Sequence, residues 1–391
     1  MVVNYEFLGD EPIENLITCM NFKIDKAVFF GYNDSIEKQR KTTEKFLKKF
    51  CGVKSVVFHA LSQNNLQSTL STMRKEIEHE RSQNNQIYFD ITGGESLILV
   101  AFGMLSKEFE TPIHIYDIVN DKLIEMGENT KSNLSENVQV RKVPMTLDLL
   151  IRMHGGQINK NLRKDIKSIN DDAFIKDVEN IFGIANKNWD YWNPFADFLR
   201  NTMVPVNPET LQVSKKIRTV EGELAKSKTK LKSIKKFNEI IDELARNKIL
   251  LNVEHSNNNY RFKFKNDKIK ECLWEGGSIL ELHTYQKEIK NGRECQLSVS
   301  IDWDGKINNP IGIDVLNEID VLTLEGNIPT FISCKSGKMS GNQALHALYE
   351  LETVTSRFGG KYAKKVLVSA KEIGEAYIER ANEMEIEVRK V

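Results

Sequence analysis

A chain of 391 residues is long enough for two or three domains of roughly 100 to 200 residues each, and too long for one small fold. Lys plus Arg and Asp plus Glu each number 55, so no global field favours a nucleic acid or a membrane, and a charged partner is met through local patches. With 40% hydrophobic and 28% charged residues the composition is that of a soluble globular protein, and the apolar stretch 96–104 is far too short to cross a bilayer. The start MVVNYEFLGDEP has no basic-then-apolar leader pattern, so no membrane association and a cytoplasmic location are expected. Five scattered cysteines without a CxxC pair and seven dispersed histidines build neither a disulfide framework nor a His/Cys metal centre.

VVNYEFLG reads as a strand, GDEP as a turn and IENLITCM as a helix. The strand-like runs AVFFGY (27–32), SVVFHAL (55–61), QIYFDI (86–91) and PIHIYDI (112–118) then alternate with helical stretches at DSIEKQRKTTEKFLKKF, 65–81 and 95–108. This is an α/β pattern, a Rossmann-like doubly wound parallel sheet. Ligands of such sheets sit beyond the carboxyl ends of the strands, where this chain has Gly9-Asp10-Glu11-Pro12 and Asp90-Ile91-Thr92-Gly93-Gly94-Glu95-Ser96. The second loop runs into a helix, so its glycines admit close backbone approach and its N–H groups can hold a phosphate; its plainer reading is a tight strand-to-helix turn. Neither GxGxxG nor GxxxxGK[ST] occurs, which disfavours a dinucleotide-dependent enzyme or an ATPase.

From about 155 to 275 the character changes. NWDYWNPFADFL supplies Trp189, Tyr191, Trp192 and Phe195, read as core, and 214–236 is a basic helical run with nine Lys or Arg against two Glu. Such a run is a solvated linker helix or a phosphate-neutralising surface. FNEIIDELARNKILLNVEHSNNNYRFKF reads as a helix, a turn and a hairpin through SNNN, as in a winged-helix unit.

The sharpest chemistry lies further on. GGSILELHTYQ (276–286) starts a helix that carries Glu281, and IDVLTLEGNIPTFISCK forms a hairpin through Glu325-Gly326-Asn327. The hairpin brings Asp320 and Lys335 to one end of a sheet. Carboxylates that hold Mg²⁺ or Mn²⁺, beside a lysine that stabilises a developing phosphorane, suit metal-assisted phosphodiester hydrolysis. Asp320 in an otherwise apolar strand argues against an ordinary surface charge. A long helix at 341–360 and the strand KKVLVSA complete an α/β core.

This arrangement resembles the PD-(D/E)XK restriction-endonuclease-like nucleases, with Glu281, Asp320 and Lys335 at the positions of the helix acid, the strand acid and the strand lysine. The usual second acid is replaced by Ser333 in Ser333-Cys334-Lys335; the Cys334 carbonyl corresponds to a backbone metal ligand, and Glu318 shares a strand face with Asp320. Joined to the GDEP and DITGGES loops, the VPMTLDLLIRMHGG boundary and the NEIDVL and ISCK strands, nearly the whole chain resembles the ancillary nucleases of type III CRISPR systems, which couple a CARF sensor domain to such an effector. The resemblance implies a CARF domain at 1–155, a helical, winged-helix-like connector at 156–270 and a nuclease domain at 271–391. It also implies a homodimer that binds a cyclic oligoadenylate, cyclic tetra-adenylate first among them, and in antiviral defence cleaves DNA and/or RNA with Mn²⁺ or Mg²⁺. Asp10, Glu11, Pro12, Asn33, Asp34, Thr92, Gly93, Gly94, Glu95 and Ser96 would lie at the messenger, and Glu281, Asp320 and Cys334 at the metal. With Ser333 where an acid is expected, the alternative is a sensor whose effector binds nucleic acid without cutting it.

Overall fold

A computed structural model describes residues 1–126, 132–160, 169–203, 210–255, 258–307 and 316–391. The N-terminal sheet has the strand order β3-β2-β1-β4-β5-β6, with β1 (Val2–Phe7), β2 (Lys26–Gly31), β3 (Ser55–Ala60), β4 (Gln86–Asp90), β5 (Ile113–Asp117) and β6 (Lys122–Met126). β1 to β5 are parallel, and β6 adds an antiparallel edge that the sequence reading left out. Its half-exposed pattern lacks the apolar run that marks the inner strands. The helix expected at IENLITCM is confined to Ile17–Asn21. Apolar cores line both faces of the sheet, one around Tyr5, Phe30 and Phe89, the other around Leu8, Phe29 and Tyr88. The chain reverses its winding between β1 and β4, so the loops after these two strands lie side by side.

β7 (Gln157–Ile158) leaves this region to pair with the C-terminal sheet. The middle of the chain packs the helices Asp172–Lys187 and Trp189–Phe198 against a small antiparallel sheet, β8 (Gln212–Lys216), β10 (Asn259–Phe264) and β9 (Leu250–Glu254) in that order. The basic run is therefore not one helix: it is β8, the helix Ile217–Lys226, a loop at 227–233 and the start of the helix Ile234–Arg246. Hydroxyls break it, because Ser227 Oγ accepts from Thr229 N and Thr229 Oγ1 from Leu231 N, while Leu231 is buried and pins the loop. A helix followed by a β9–β10 hairpin has the winged-helix-like form expected; residues 256–257 of the SNNN turn lie outside the described residues.

The C-terminal sheet has the order β15-β14-β13-β12-β11-β7, with β11 (Glu294–Asp302), β12 (Leu316–Glu325), β13 (Ile328–Lys335), β14 (Lys364–Ser369) and β15 (Ile386–Lys390). β11, β12 and β13 are antiparallel; β13, β14 and β15 are parallel. The helix Ser278–Lys290 covers one face and Gly341–Phe358 the other. The first face shares a continuous core with the middle region, in which Trp192, Phe195 and Phe237 join Ile279, Tyr285, Val321 and Ile332. All five cysteines are buried and free. Among the described residues no helix is long and apolar enough to cross a membrane.

Candidate functional site

The β12–β13 ladder runs from Glu325↔Ile328 to Val321↔Ile332 and stops there. One residue on, the Asp320 carboxylate takes the place of a backbone acceptor: Oδ2 accepts from Cys334 N at 2.5 Å and from Ser333 Oγ at 3.2 Å. On the other side of β12, Ser298 has φ +48 between the Leu297↔Val321 and Val299↔Ile319 pairs. Leu297 and Val321 belong to one core of the sheet, Val299 and Ile319 to the other, so both strands change face at this point. Asp320 sits where the sheet is kinked and split.

Burial pushes the Asp320 carboxyl above the usual aspartate range; the Cys334 N–H, the Lys335 ammonium and the Ser333 hydroxyl pull the other way, and Glu350 adds to the rise. Glu281 stands in the first turn of the helix Ser278–Lys290, above Gly277, where an added Cβ would approach Glu281 Oε1 to 3.4 Å and Ser336 Oγ to 3.9 Å. The Cys334 thiol, buried against Thr284 Oγ1 at 3.7 Å, is raised well above its ordinary value, first by burial, then by Asp320 and Glu281, with Lys335 opposing. Glu281, Asp320 and Lys335 thus lie around one residue. Glu318 is exposed and faces Ser300 across the ladder.

Two carboxylates and a backbone carbonyl are the kind of hard-oxygen ligands that suit Mg²⁺ or Mn²⁺. Among the described residues no group of three His, Cys, Asp or Glu side chains is placed to hold a metal. At the position where the resemblance expects a second strand carboxylate, the Ser333 hydroxyl donates to Asp320 Oδ2 at 3.2 Å.

The N-terminal loops have a different character. Asp90 is fully buried; its Oδ1 accepts from Thr92 N at 2.8 Å and Thr92 Oγ1 at 2.5 Å, and Thr92 Oγ1 in turn accepts from Tyr116 N at 2.8 Å. His114 Nε2 lies 3.4 Å from Asp90 Oδ2. Burial pushes Asp90 up, but His114 and the bonds from Thr18 and Thr92 outweigh it and bring the carboxyl to about 2. Its neighbour Glu6 is raised well above the ordinary range by burial and by Asp90.

Gly93 is packed against Glu14, and a Cβ there would meet Glu14 Oε2 at 2.8 Å; Gly94 has φ +137, open to glycine alone at little cost. Glu95 and Ser96 are exposed at the start of the helix Ser96–Phe109, and Glu95 Oε2 accepts from Tyr32 OH at 2.7 Å. That bond ties this loop to the end of β2, where Asn33 and Asp34 are exposed. Gln39 Nε2 donates to Gly9 O at 2.8 Å and lies 3.4 Å from the exposed Asp10.

Glu11 faces the C-terminal region: its Oε2 accepts from Lys361 N at 2.7 Å and its Oε1 lies 3.6 Å from His154 Nε2. Glu14 pairs with Lys361 Nζ and accepts from Tyr362 OH at 2.7 Å. Asp10, Glu11 and Pro12 line a cleft of about 640 Å³ whose far wall includes Arg357 and Lys361.

Residues 267–389 match the family described as Card1-like, endonuclease domain. Over the whole chain the fold matches a crystal structure of protein VC1899 from Vibrio cholerae, at TM-score 0.70 and 16% identity over 100% of this chain and 94% of that one. It also matches Can2 from Sulfobacillus thermosulfidooxidans, solved in complex with cyclic tetra-adenylate, at TM-score 0.66 and 14% identity over 99% and 92%. No curated protein matches at the sequence level. The expected α/β architecture, a parallel Rossmann-like sheet followed by a second sheet in the C-terminal part, is the fold found.

Several residues around the Card1-like domain escaped sequence reasoning. Asn193 Nδ2 donates to Ser336 Oγ at 3.1 Å, and Asn193 Oδ1 lies so near Gly276 that a Cβ there would meet it at 2.6 Å. It joins the turn before Glu281 to the turn after Lys335. Nothing in NWDYWNPF distinguishes this asparagine from a surface one. Glu14, Tyr32, His154, Lys361 and Tyr362 likewise lie in no motif; only contacts far apart in sequence single them out.

Proposed function

We propose that this chain is a cyclic-oligoadenylate-gated, metal-dependent endonuclease of type III CRISPR defence, with cyclic tetra-adenylate as activator and DNA and/or RNA as substrate. One observation carries the coupling. Gly93 rests on Glu14, Glu14 holds Lys361 and Tyr362, and those residues lead into β14, whose last residue Ser369 stands opposite Lys335. A ligand that moves the Thr92–Ser96 loop thereby acts on the strand next to the candidate catalytic lysine. It shifts activity only by the difference in its affinity for the resting and active arrangements.

In this reading the sensor spans 1–155, the connector 156–270 and the nuclease 271–391, although β7 and the shared core tie the connector closely to the effector. Asp10, Pro12, Asn33, Asp34 and the Thr92–Ser96 loop face the messenger, with Glu11 beside them turned to Lys361 and His154, and a homodimer lets a symmetric ring make equivalent contacts to two protomers. Glu281, Asp320 and the Cys334 carbonyl hold Mn²⁺ or Mg²⁺. The bound ion supplies an activated water and charge stabilisation. Lys335 stabilises the charge that develops on the phosphorus oxygens, Asp320 is held in place by Cys334 N and Ser333 Oγ, and Ser333 takes no proton.

Purified chain is incubated with plasmid and with labelled single-stranded DNA and RNA in Mn²⁺, with and without cyclic tetra-adenylate. Cleavage that needs both additions is expected. Messenger and nucleic-acid binding without any cleavage would favour a non-cutting sensor, a reading kept in view by Ser333 standing where a third carboxylate would complete the site.

A further inference from the structure

We infer that the loop at 227–233 and its flanking lysines form the surface that holds the phosphates of a nucleic-acid strand beside the Card1-like site. The residues concerned lie about one hundred positions before Lys335 in sequence, and the fold brings them to it. Asp190 Oδ1 accepts from Lys371 Nζ at 2.7 Å, and Asp190 Oδ2 lies 3.2 Å from Lys230 Nζ. Lys371 follows Ala370, whose N–H donates to Lys335 O at 3.0 Å. In the helix of Asp190, one turn on, Asn193 bonds Ser336, the residue after Lys335. The loop is thus anchored at the open end of β13, where the candidate catalytic side chains emerge.

Its surface is built for a polyanion. Positions 226, 228, 230 and 232 are all lysine and all exposed, while Leu231 between the last two is buried. The segment is ordered by its own hydroxyls, with Ser227 Oγ 2.7 Å from Thr229 Oγ1. Lys226 and Lys230 already face acids, Glu223 and Asp190, but Lys228, Lys232 and Lys235 are exposed and form no ion pair with any described residue. The segment bends at 228–230 and Lys232 N donates to Lys230 O at 3.1 Å, so the lysines at alternate positions make a short curved row. Such a row neutralises successive phosphates without reading bases. The chain as a whole is neutral, so this row is a local feature and not part of a general positive field.

The inference rests on the nuclease reading for its substrate, and its test does not need cleavage. Full-length native protein and the Lys228→Ala/Lys232→Ala/Lys235→Ala variant are titrated with a labelled single strand and a labelled duplex between about 50 and 200 mM salt. The variant is expected to bind about tenfold or more weakly, with the slope of log affinity against log salt reduced by about 2 to 3. In the cleavage assay KM rises while kcat stays within about twofold of native, cyclic tetra-adenylate affinity is unchanged, and the triple Lys→Arg variant retains the native slope. A folded triple-alanine variant with native affinity and native salt slope overturns the inference, as does native protein that binds neither probe. Native protein that binds but never cuts overturns the nuclease reading, and the slope comparison still decides this one.

Discussion

Asp90 and Asp320 are both carboxylates in otherwise apolar strands, one in each large sheet, and the two sheets use them in opposite ways. In the N-terminal sheet Asp90 is fully buried, ringed by Thr92, Thr18 and His114, and brought down to about 2, so it carries its charge inside the fold to hold the Thr92 turn. In the C-terminal sheet Asp320 is only partly covered, has donors on one oxygen, and is raised by burial. A carboxylate whose charge is held by a facing imidazole and by hydroxyls builds a loop. One whose charged form is under-satisfied gains most from an added cation. The same residue type in similar strands therefore separates a scaffold from a site by what surrounds it.

The largest expected effect breaks the effector side of this contrast. Asp320→Ala lowers messenger-dependent cleavage by about a thousandfold and Lys335→Ala by about a hundredfold or more, with cyclic tetra-adenylate affinity unchanged by calorimetry. Metal-dependent cutting at native rates by purified Asp320→Ala protein would sink the assignment.

In the N-terminal sheet, Asp90→Asn removes a buried charge from its partners and costs about 3 kcal/mol of stability in denaturant titration, with cleavage of the folded fraction retained. The pH dependence has a definite sign. Because the folded Asp90 lies below its unfolded value of about 3.9, its contribution is present above that pH and is lost as the pH falls toward about 2. Acid unfolding followed by near-ultraviolet dichroism should lose that component in Asp90→Asn protein.

Gly93→Val tests the junction between the two halves. The valine Cβ would press on Glu14 and through it on Lys361 and Tyr362, so the messenger concentration for half-maximal cleavage rises about tenfold or more while the Card1-like domain stays folded. Glu14→Gln, which keeps the shape and removes the charge, is expected to give a smaller shift in the same assay. Unchanged activation in both would mean that the loop is only a turn.

Ser333→Glu sharpens the contrast by changing the under-satisfied site. A second carboxylate against Asp320 makes the metal-free protein less stable and Mn²⁺ binding about tenfold tighter, as read by calorimetry. Weaker binding would show that another oxygen already fills that position. The smallest effect concerns Asp320 itself. With its folded value raised, its contribution to stability is present below the ordinary aspartate range and is lost as pH rises through the raised value. Metal-free Asp320→Asn should therefore melt higher than native protein at pH 7, with the difference closing toward about pH 4.

Local pattern made much of the architecture legible. The apolar runs of β1 to β5 and β12 to β14 announce themselves because strands buried on both faces need continuous Val, Ile, Phe and Tyr, and the Gly326-Asn327 turn follows from a two-residue hairpin. Weakly patterned pieces were not legible: β6 and β15 are edges with half-exposed residues, and the basic run at 214–236 hides a strand and a loop beneath a charge pattern that looks helical. Asp320 and Lys335 could be singled out from the sequence as candidates because a hairpin brings them to one end of a sheet, whereas the departure at Ser333 shows only against the pattern of the family the chain resembles. Tertiary structure alone decided that Asp90 holds the Thr92 turn, that Glu11 and Glu14 face Lys361 and Tyr362, that Asn193 bonds Ser336 and that Lys230 of the 227–233 loop pairs with Asp190. Apart from the Asp90–Thr92 bond, those relations join residues from about 40 to 350 positions apart, and only tertiary packing sets their distances, whereas periodicity reports each strand or helix by itself.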